Sequence, residues 1–238
     1  MSIRGILFDV DDTLIDYAAT ARIGLLGHLR AEDQLWLFES PDEAVALWRS
    51  LEEEHYPRFL AGELTFKGQQ LVRTELFLAH IGIKVADPSA WFADYAARRD
   101  VAWITFPDVP PTLRALAGQV ALGIVSNSSL AHQQDKLRSV GLLDHFGDAV
   151  LCSAEFGTAK PDPAIFLAGC KMLELPPDEV AYVGDRFDTD GLGARNAGLR
   201  AYWLDRTARG VAHREGVTII PSLVELSATT FASGLDSL

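Results

Sequence analysis

The segment FDVDDTLID, residues 8–16, crowds Asp9, Asp11, Asp12 and Asp16 against the end of an apolar run, Ile3 to Phe8. Carboxylates at this spacing repel one another, so the cluster costs stability unless something cationic sits among them or one carboxyl keeps its proton. Further along the chain come Ser126 and Asn127, the stretch Gly157-Thr158-Ala159-Lys160, and Gly184 with Asp185, Asp188 and Asp190. Carboxylates drawn together from two strand ends form a hard-oxygen site, and Mg²⁺ is the usual ion when phosphate completes the shell. Lys160 supplies a second cation. A phosphoryl group would then sit between Mg²⁺, Lys160, the Ser126 hydroxyl and backbone N–H groups, with one aspartate placed to attack phosphorus in line.

The elements that must position these residues follow from period. Short apolar runs at Ile3 to Phe8, Val120 to Val125, Ala149 to Cys152, Val180 to Val183 and Ala201 to Leu204 are flanked by polar residues or Gly and predict buried parallel strands. Helical stretches lie between them at Pro111 to Ala117, Leu130 to Val140, Pro163 to Leu173 and Asp190 to Ala197. Strand alternating with helix predicts an α/β fold, a Rossmann-like doubly wound parallel sheet. In such sheets ligands bind beyond the carboxyl ends of the strands, which is where every residue named above falls.

One long interval breaks the alternation. Residues 17–103 read as helix throughout, near Ala18 to Arg30, Asp42 to Leu60, Phe66 to Ile81 and Ser89 to Arg99. The expected organisation is therefore a core of residues 1–16 and 104–238 carrying an inserted α-helical cap domain, residues 17–103, over the strand ends. The Ser- and Thr-rich segment after Leu226 is expected to be a frayed end.

Composition narrows the function. Of 238 residues, 48% are apolar and 23% charged, as in ordinary globular chains, and no apolar run reaches the roughly 20 residues of a membrane span. The N-terminal residues lack the features of a secretory signal, and Cys152 and Cys170, without metal-ligand spacing, suit free thiols in a reducing compartment, so a cytoplasmic location is expected. A formal charge of −12 disfavours nucleic acid as a partner. It would also repel a phosphorylated substrate at long range, which makes local cations necessary.

The segments FDVDDTL, IVSNSS, TAKPDPAIF and VGDRFDTDGLGARNAG, in this order and spacing, resemble the four signature motifs of the haloacid dehalogenase (HAD) superfamily. The core match covers residues 1–16 and about 107–205, and the helical interval is similar to that family's type-1 cap. The resemblance implies that Asp9 is the nucleophile that becomes an aspartyl-phosphate and that Asp11 is the acid for the leaving group and then the base for water. It implies phosphate binding by Ser126 with neighbouring Asn127, and a Lys160 that steadies nucleophile and phosphate. Mg²⁺ would be held by Asp9, Asp11 through its carbonyl, Asp185 and Asp190. Asp188 has no matching role, and Arg186 stands where relatives often carry a small polar residue.

The dehalogenase branch lacks an acid two residues after the nucleophile, because displacing halide needs no leaving-group proton. Asp11 is present here, which favours a phosphatase of a small soluble phosphomonoester such as a nucleotide, a sugar phosphate or a phosphoglycolate-like compound. Phosphosugar mutase, 2-haloacid dehalogenase and a non-enzymatic phospho-aspartate switch stay open as alternatives; product that keeps its phosphate, halide release or a long-lived acyl phosphate would mark each in turn. The chain is expected to be a monomer or homodimer. Asp9 beside a divalent cation should stay ionised and able to attack, whereas Asp11 must hold a proton at the moment the alkoxide leaves. Asp12 and Asp16 suit turn and helix-cap duty.

Other features have plainer explanations. The six histidines show no ligand spacing, and Trp36, Trp48, Trp91 and Trp103 suit the interior of the helical interval as well as a substrate pocket. Tyr17, Thr20 and Arg22 are the leading candidates for contact with the leaving group. The glycines of GLGARNAGLR fit helix packing and a C-cap at Gly198 better than a dinucleotide fingerprint.

Overall fold

Apolar runs that contain Leu7, Val125 and Val183 become strands buried on both faces, as expected where helices cover a parallel sheet. The computed structural model describes residues 2–208 and 212–226. Its strands are β1 (Gly5–Phe8), β2 (Ala121–Ser126), β3 (Val150–Cys152), β4 (Val180–Gly184), β5 (Arg200–Leu204), β6 (Ala212–Arg214) and β7 (Val217–Ile220). They form one sheet in the order β3-β2-β1-β4-β5-β7-β6, parallel except for the β6–β7 hairpin. The expected α/β class and parallel core are therefore present. β6 and β7 are additions that the apolar-run reading did not contain. Both are short, and their turn is built on Glu215 and Gly216, each with positive φ.

The helices are α1 (Tyr17–Ala31), α2 (Pro41–Leu60), α3 (Phe66–His80), α4 (Pro88–Asp100), α5 (Val109–Leu116), α6 (Leu130–Ser139), α7 (Ser153–Phe156), α8 (Pro163–Met172) and α9 (Gly193–Asn196). Several start where sequence signals place a start. Ser40, Thr65, Asp87 and Asp162 each accept a hydrogen bond from a backbone N–H two or three residues on, and Pro41, Pro88 and Pro163 follow three of them directly. The interval expected as a helix from Asp190 to Ala197 winds differently: Phe187–Leu192 is a π-helical turn and only the last residues are α.

The chain divides into two compact units, residues 1–16 with 104–238, and Tyr17–Trp103. In the first, Leu7, Val125, Phe166, Tyr182 and Ala201 form a core between the sheet and α8 and α9. In the second, α1–α4 pack Leu25, Leu29, Trp48, Phe77, Trp91 and Tyr95 together. Trp48 and Trp91 are thus interior residues, whereas Trp36 is exposed. Arg73 is buried there, its guanidinium 4.8 Å from the Trp48 ring centre and 2.5 Å from Glu52, which also accepts the Tyr17 hydroxyl at 2.8 Å. Thr20 is buried and bonds the Ala102 carbonyl, and Arg22 pairs with Asp42, so these two are engaged within their own unit. No described helix is long and apolar enough to cross a membrane.

Candidate active site

Register brings the motifs to one edge. Phe8 pairs with Ile124 on one side and Val183 on the other, so Asp9 stands level with Val125 and Gly184, a residue short of Ser126 and Asp185. The Asp9 N–H continues the ladder to the Val183 carbonyl at 2.9 Å. The chain then turns tightly: the N–H groups of Thr13, Leu14 and Ile15 all donate to the Val10 carbonyl. Asp12 takes φ of +57° in this turn, a conformation that Asp tolerates better than most residues. Arg206 braces the turn from outside, donating to the Thr13 carbonyl at 2.9 Å and to Asp108.

Around Asp9 the structure gathers buried charge. Lys160 Nζ lies 2.8 Å from Asp9, 2.7 Å from Asp190 and 2.7 Å from the Tyr182 hydroxyl. Tyr182, on β4, also reaches the Val125 carbonyl and Asp190, both at 3.1 Å. Asp190 is fully buried and accepts the Arg186 N–H at 3.0 Å. Its close approach requires Gly184, because a Cβ there would lie 2.4 Å from the Asp190 carboxyl carbon. Burial opposes the Lys160 charge, but Asp190 and Asp9 hold it protonated well above the usual range.

Asp9, Asp185 and Asp190 bring carboxylate oxygens within 4.8 Å of one another. The Asp185 carboxylate carries no hydrogen bond or ion pair among the described residues. Burial and the charges of Asp190 and Asp9 push it up to about 8, against the opposing charge of Arg186. Burial also raises Asp9 to about 6, despite Lys160. Three converging acids offset by one lysine are a donor set suited to a hard divalent cation, so the residues present fit Mg²⁺. Arg186 and Asp188 are exposed.

Asp11 faces a different set of partners. Lys136 Nζ pairs with one of its oxygens, and Gln133 Nε2 donates to the other at 3.0 Å. The same amide nitrogen lies 3.0 Å from Ser126 Oγ, which is buried at the end of β2. Burial would raise Asp11, but the Lys136 charge and the hydrogen bonds from Lys136 and Gln133 outweigh it and hold the carboxyl below the usual range. Within the protein's own charges Asp9 is therefore shifted up and Asp11 down, whereas the sequence-based expectation concerns Asp9 beside a divalent cation and Asp11 at the moment the alkoxide leaves. The reason for the two shifts is a buried lysine that the motifs do not contain, together with the unneutralised acids around Asp9.

Asn127 works on the backbone. Its amide donates to the Lys160 carbonyl at 2.9 Å and accepts the Lys160 N–H at 2.7 Å, clamping the peptide that carries the buried ammonium. The motif reading missed Tyr182, Gln133 and Lys136. A signal for two of them exists: Gln133, Lys136 and Leu137 form the buried stripe of α6, so two polar residues occupy positions where the period calls for apolar ones. Cys152 and Cys170 are free and buried.

Comparison with known proteins bears on this geometry. A family model for haloacid dehalogenase-like hydrolases matches residues 3–198. A glyceraldehyde 3-phosphate phosphatase of Methanopyrus kandleri is 32% identical over 207 residues, 83% of this chain and 82% of its own. The HAD-hydrolase YfnB of Bacillus subtilis, solved bound to magnesium, shares the fold with a TM-score of 0.81 at 22% identity, covering 95% of this chain and 97% of its own. A 2-haloacid dehalogenase of Pseudomonas syringae is 27% identical with a TM-score of 0.63, covering 94% and 96%. With the family model spanning most of the sequence and the phosphatase relative aligned over most of both chains, the protein belongs to the haloacid dehalogenase-like hydrolases, in their phosphatase branch.

Proposed function

We propose that this phosphatase is Mg²⁺-dependent and hydrolyses a phosphomonoester of a small soluble metabolite through an aspartyl-phosphate on Asp9. The observation that carries the reading is the Asp9 carboxylate, 2.8 Å from a buried Lys160 ammonium and grouped with the carboxylates of Asp185 and Asp190. Asp9, Asp185, Asp190 and the Asp11 carbonyl would hold Mg²⁺, which when bound supplies positive charge to a phosphoryl oxygen and keeps Asp9 ionised. Lys160 pairs with the phosphate on the other side and Ser126 donates its hydroxyl to it. Asn127 keeps the Lys160 peptide in place.

In the first half-reaction an Asp9 oxygen attacks phosphorus, the ester P–O bond breaks, and Asp11 passes a proton to the departing alkoxide. In the second, water attacks the phosphorus of the acyl phosphate, Asp11 takes the proton, and the bond from phosphorus to Asp9 breaks to release inorganic phosphate. Proton transfer of this kind contributes typically ~10²–10⁴-fold. Lys136 and Gln133 favour the ionised form of Asp11, the form required of the base in the second half, so the proton that it passes on in the first half has to be taken up with the substrate, as from a phosphomonoester monoanion. Two buried free thiols support a cytoplasmic setting.

The test is phosphate release from nucleotides, sugar phosphates, three-carbon phosphates and phosphoglycolate, with and without Mg²⁺, beside Asp9→Asn. Release that requires both metal and Asp9 is expected, with one substrate standing out. Wild-type turnover by Asp9→Asn would sink the reading. The 27% identity to a dehalogenase gives the second reading its standing; halide release from a 2-haloacid would favour it, and a product that keeps its phosphate would favour a mutase.

A further inference from the structure

We propose that Gln133 and Lys136 are positioning residues for this reaction, holding the Asp11 carboxylate and the Ser126 hydroxyl in one fixed arrangement. The inference rests on the reading of Asp9 and Asp11 given above. The two side chains stand one turn apart on α6, and they are 0% and 2% exposed. Each oxygen of Asp11 has its own donor, the Lys136 ammonium on one and the Gln133 amide on the other, so the plane of the carboxyl is fixed. The two hydrogens of the Gln133 amide serve two acceptors, Asp11 and Ser126, each at 3.0 Å.

This sharing has a directional consequence. Ser126 Oγ accepts from Gln133, which leaves its single hydrogen to be donated to an incoming oxygen such as that of a phosphate. The opposite amide orientation would set the Gln133 carbonyl oxygen against the Asp11 carboxylate, so the chemistry fixes which end faces inward. Gln133 Oε1 is left buried without a partner, and a long ammonium side chain is immobilised out of water. Both features cost stability, and an apolar pair at these positions would secure α6 to the sheet without either cost. The arrangement serves Asp11 and Ser126 rather than the helix.

The experiment uses the full chain with saturating Mg²⁺ and two substrates of one shape, p-nitrophenyl phosphate and phenyl phosphate, whose leaving groups differ in their need for a proton. Lys136→Met is expected to lower kcat on phenyl phosphate by about 10-fold or more and on p-nitrophenyl phosphate by under about 3-fold, with KM little changed. Lys136→Arg should restore much of the loss. Gln133→Leu should lower kcat in the same pattern and also raise KM, through Ser126. Equal losses on both substrates, or no loss beside a lowered melting temperature, would overturn the proposal.

Should Lys136→Met alone fail to fold, the Asp11→Asn/Lys136→Met double variant removes both charges together. It should be no slower than Asp11→Asn, because residues acting through one group are not additive. A further loss of about 10-fold would show an independent role for Lys136 and overturn the proposal. Wild-type turnover by Asp9→Asn would remove the underlying reading instead, which separates the two failures.

Discussion

At the scale of single residues, most of the polar side chains at the strand ends are committed to one another before any ligand arrives. Lys160 is shared by Asp9, Asp190 and Tyr182, and its peptide is gripped by Asn127. Asn127→Ala removes both bonds of that grip. Losing two hydrogen bonds at a partly buried site costs about 1–3 kcal/mol, and a misplaced ammonium should lower kcat by ~10–100-fold. Denaturant unfolding and phosphate-release kinetics measure the two effects; an unchanged kcat would mean that the loop holds Lys160 without Asn127. Gly184→Ala introduces a methyl 2.4 Å from the Asp190 carboxyl carbon and must move Asp190 or the backbone. Overpacking of this kind costs about 1–3 kcal/mol. The variant should also bind Mg²⁺ more weakly in calorimetric titration, and wild-type affinity would argue against Asp190 as part of the metal site.

At the scale of elements, geometry is set by where strands end and helices begin. β1, β2 and β4 finish within two residues of one level, so Asp9 just past β1, Ser126 as the last residue of β2 and Asp185 just past β4 bring a carboxylate, a hydroxyl and a second acid to one edge. The π-helical turn Phe187–Leu192 then folds Asp190 back under Gly184, with the Asp190 and Gly191 N–H groups both on the Arg186 carbonyl. Such turns occur often at functional sites, where one extra residue redirects a side chain. In the helical unit the elements meet on Trp48, which touches Phe77, Trp91, Phe92 and Tyr95 and lies under Arg73. Trp48→Ala should therefore destabilise by about 3–5 kcal/mol, the range for a large aromatic removed from a core. Chemical denaturation followed by tryptophan fluorescence would test this, and a change below about 1 kcal/mol would mean that the cavity collapses around Arg73.

For the whole molecule, the acid cluster links stability to pH and, on the function proposed above, to metal. Burial with the neighbouring acids raises Asp9 to about 6 and Asp185 to about 8. A carboxyl with a folded value above its unfolded one binds more protons in the fold. Its stabilising effect is therefore complete below the usual aspartate range near ~4 and is lost as pH rises through those values. Asp11, held low, acts in the opposite sense and only in acid, below that window. Metal-free protein in chelator should thus melt several degrees lower at pH 8.5 than at pH 5, and Mg²⁺ should restore most of the difference at the higher pH. A melting temperature that does not vary with pH, or one that Mg²⁺ leaves unmoved, would count against a cation among Asp9, Asp185 and Asp190.

Much of this protein is legible in the order of its residues. Strand and helix periods are local, so the alternating core, the long helical interval and the acids, hydroxyl and lysine after each strand can be read without coordinates. The family follows from four motifs whose spacing reflects that alternation. Contacts across the sheet are another matter, because they depend on register between segments far apart in the chain. Lys136 and Gln133 lie more than a hundred residues from Asp11, and nothing in the sequence near FDVDDTLID announces a buried ammonium beside it. Tyr182 reads as one more apolar residue of β4 until its hydroxyl is seen between Lys160 and Asp190. Packing decided which acid stands near which cation, and with it the opposite electrostatic shifts of Asp9 and Asp11, because those interactions depend on separation and burial in the folded chain.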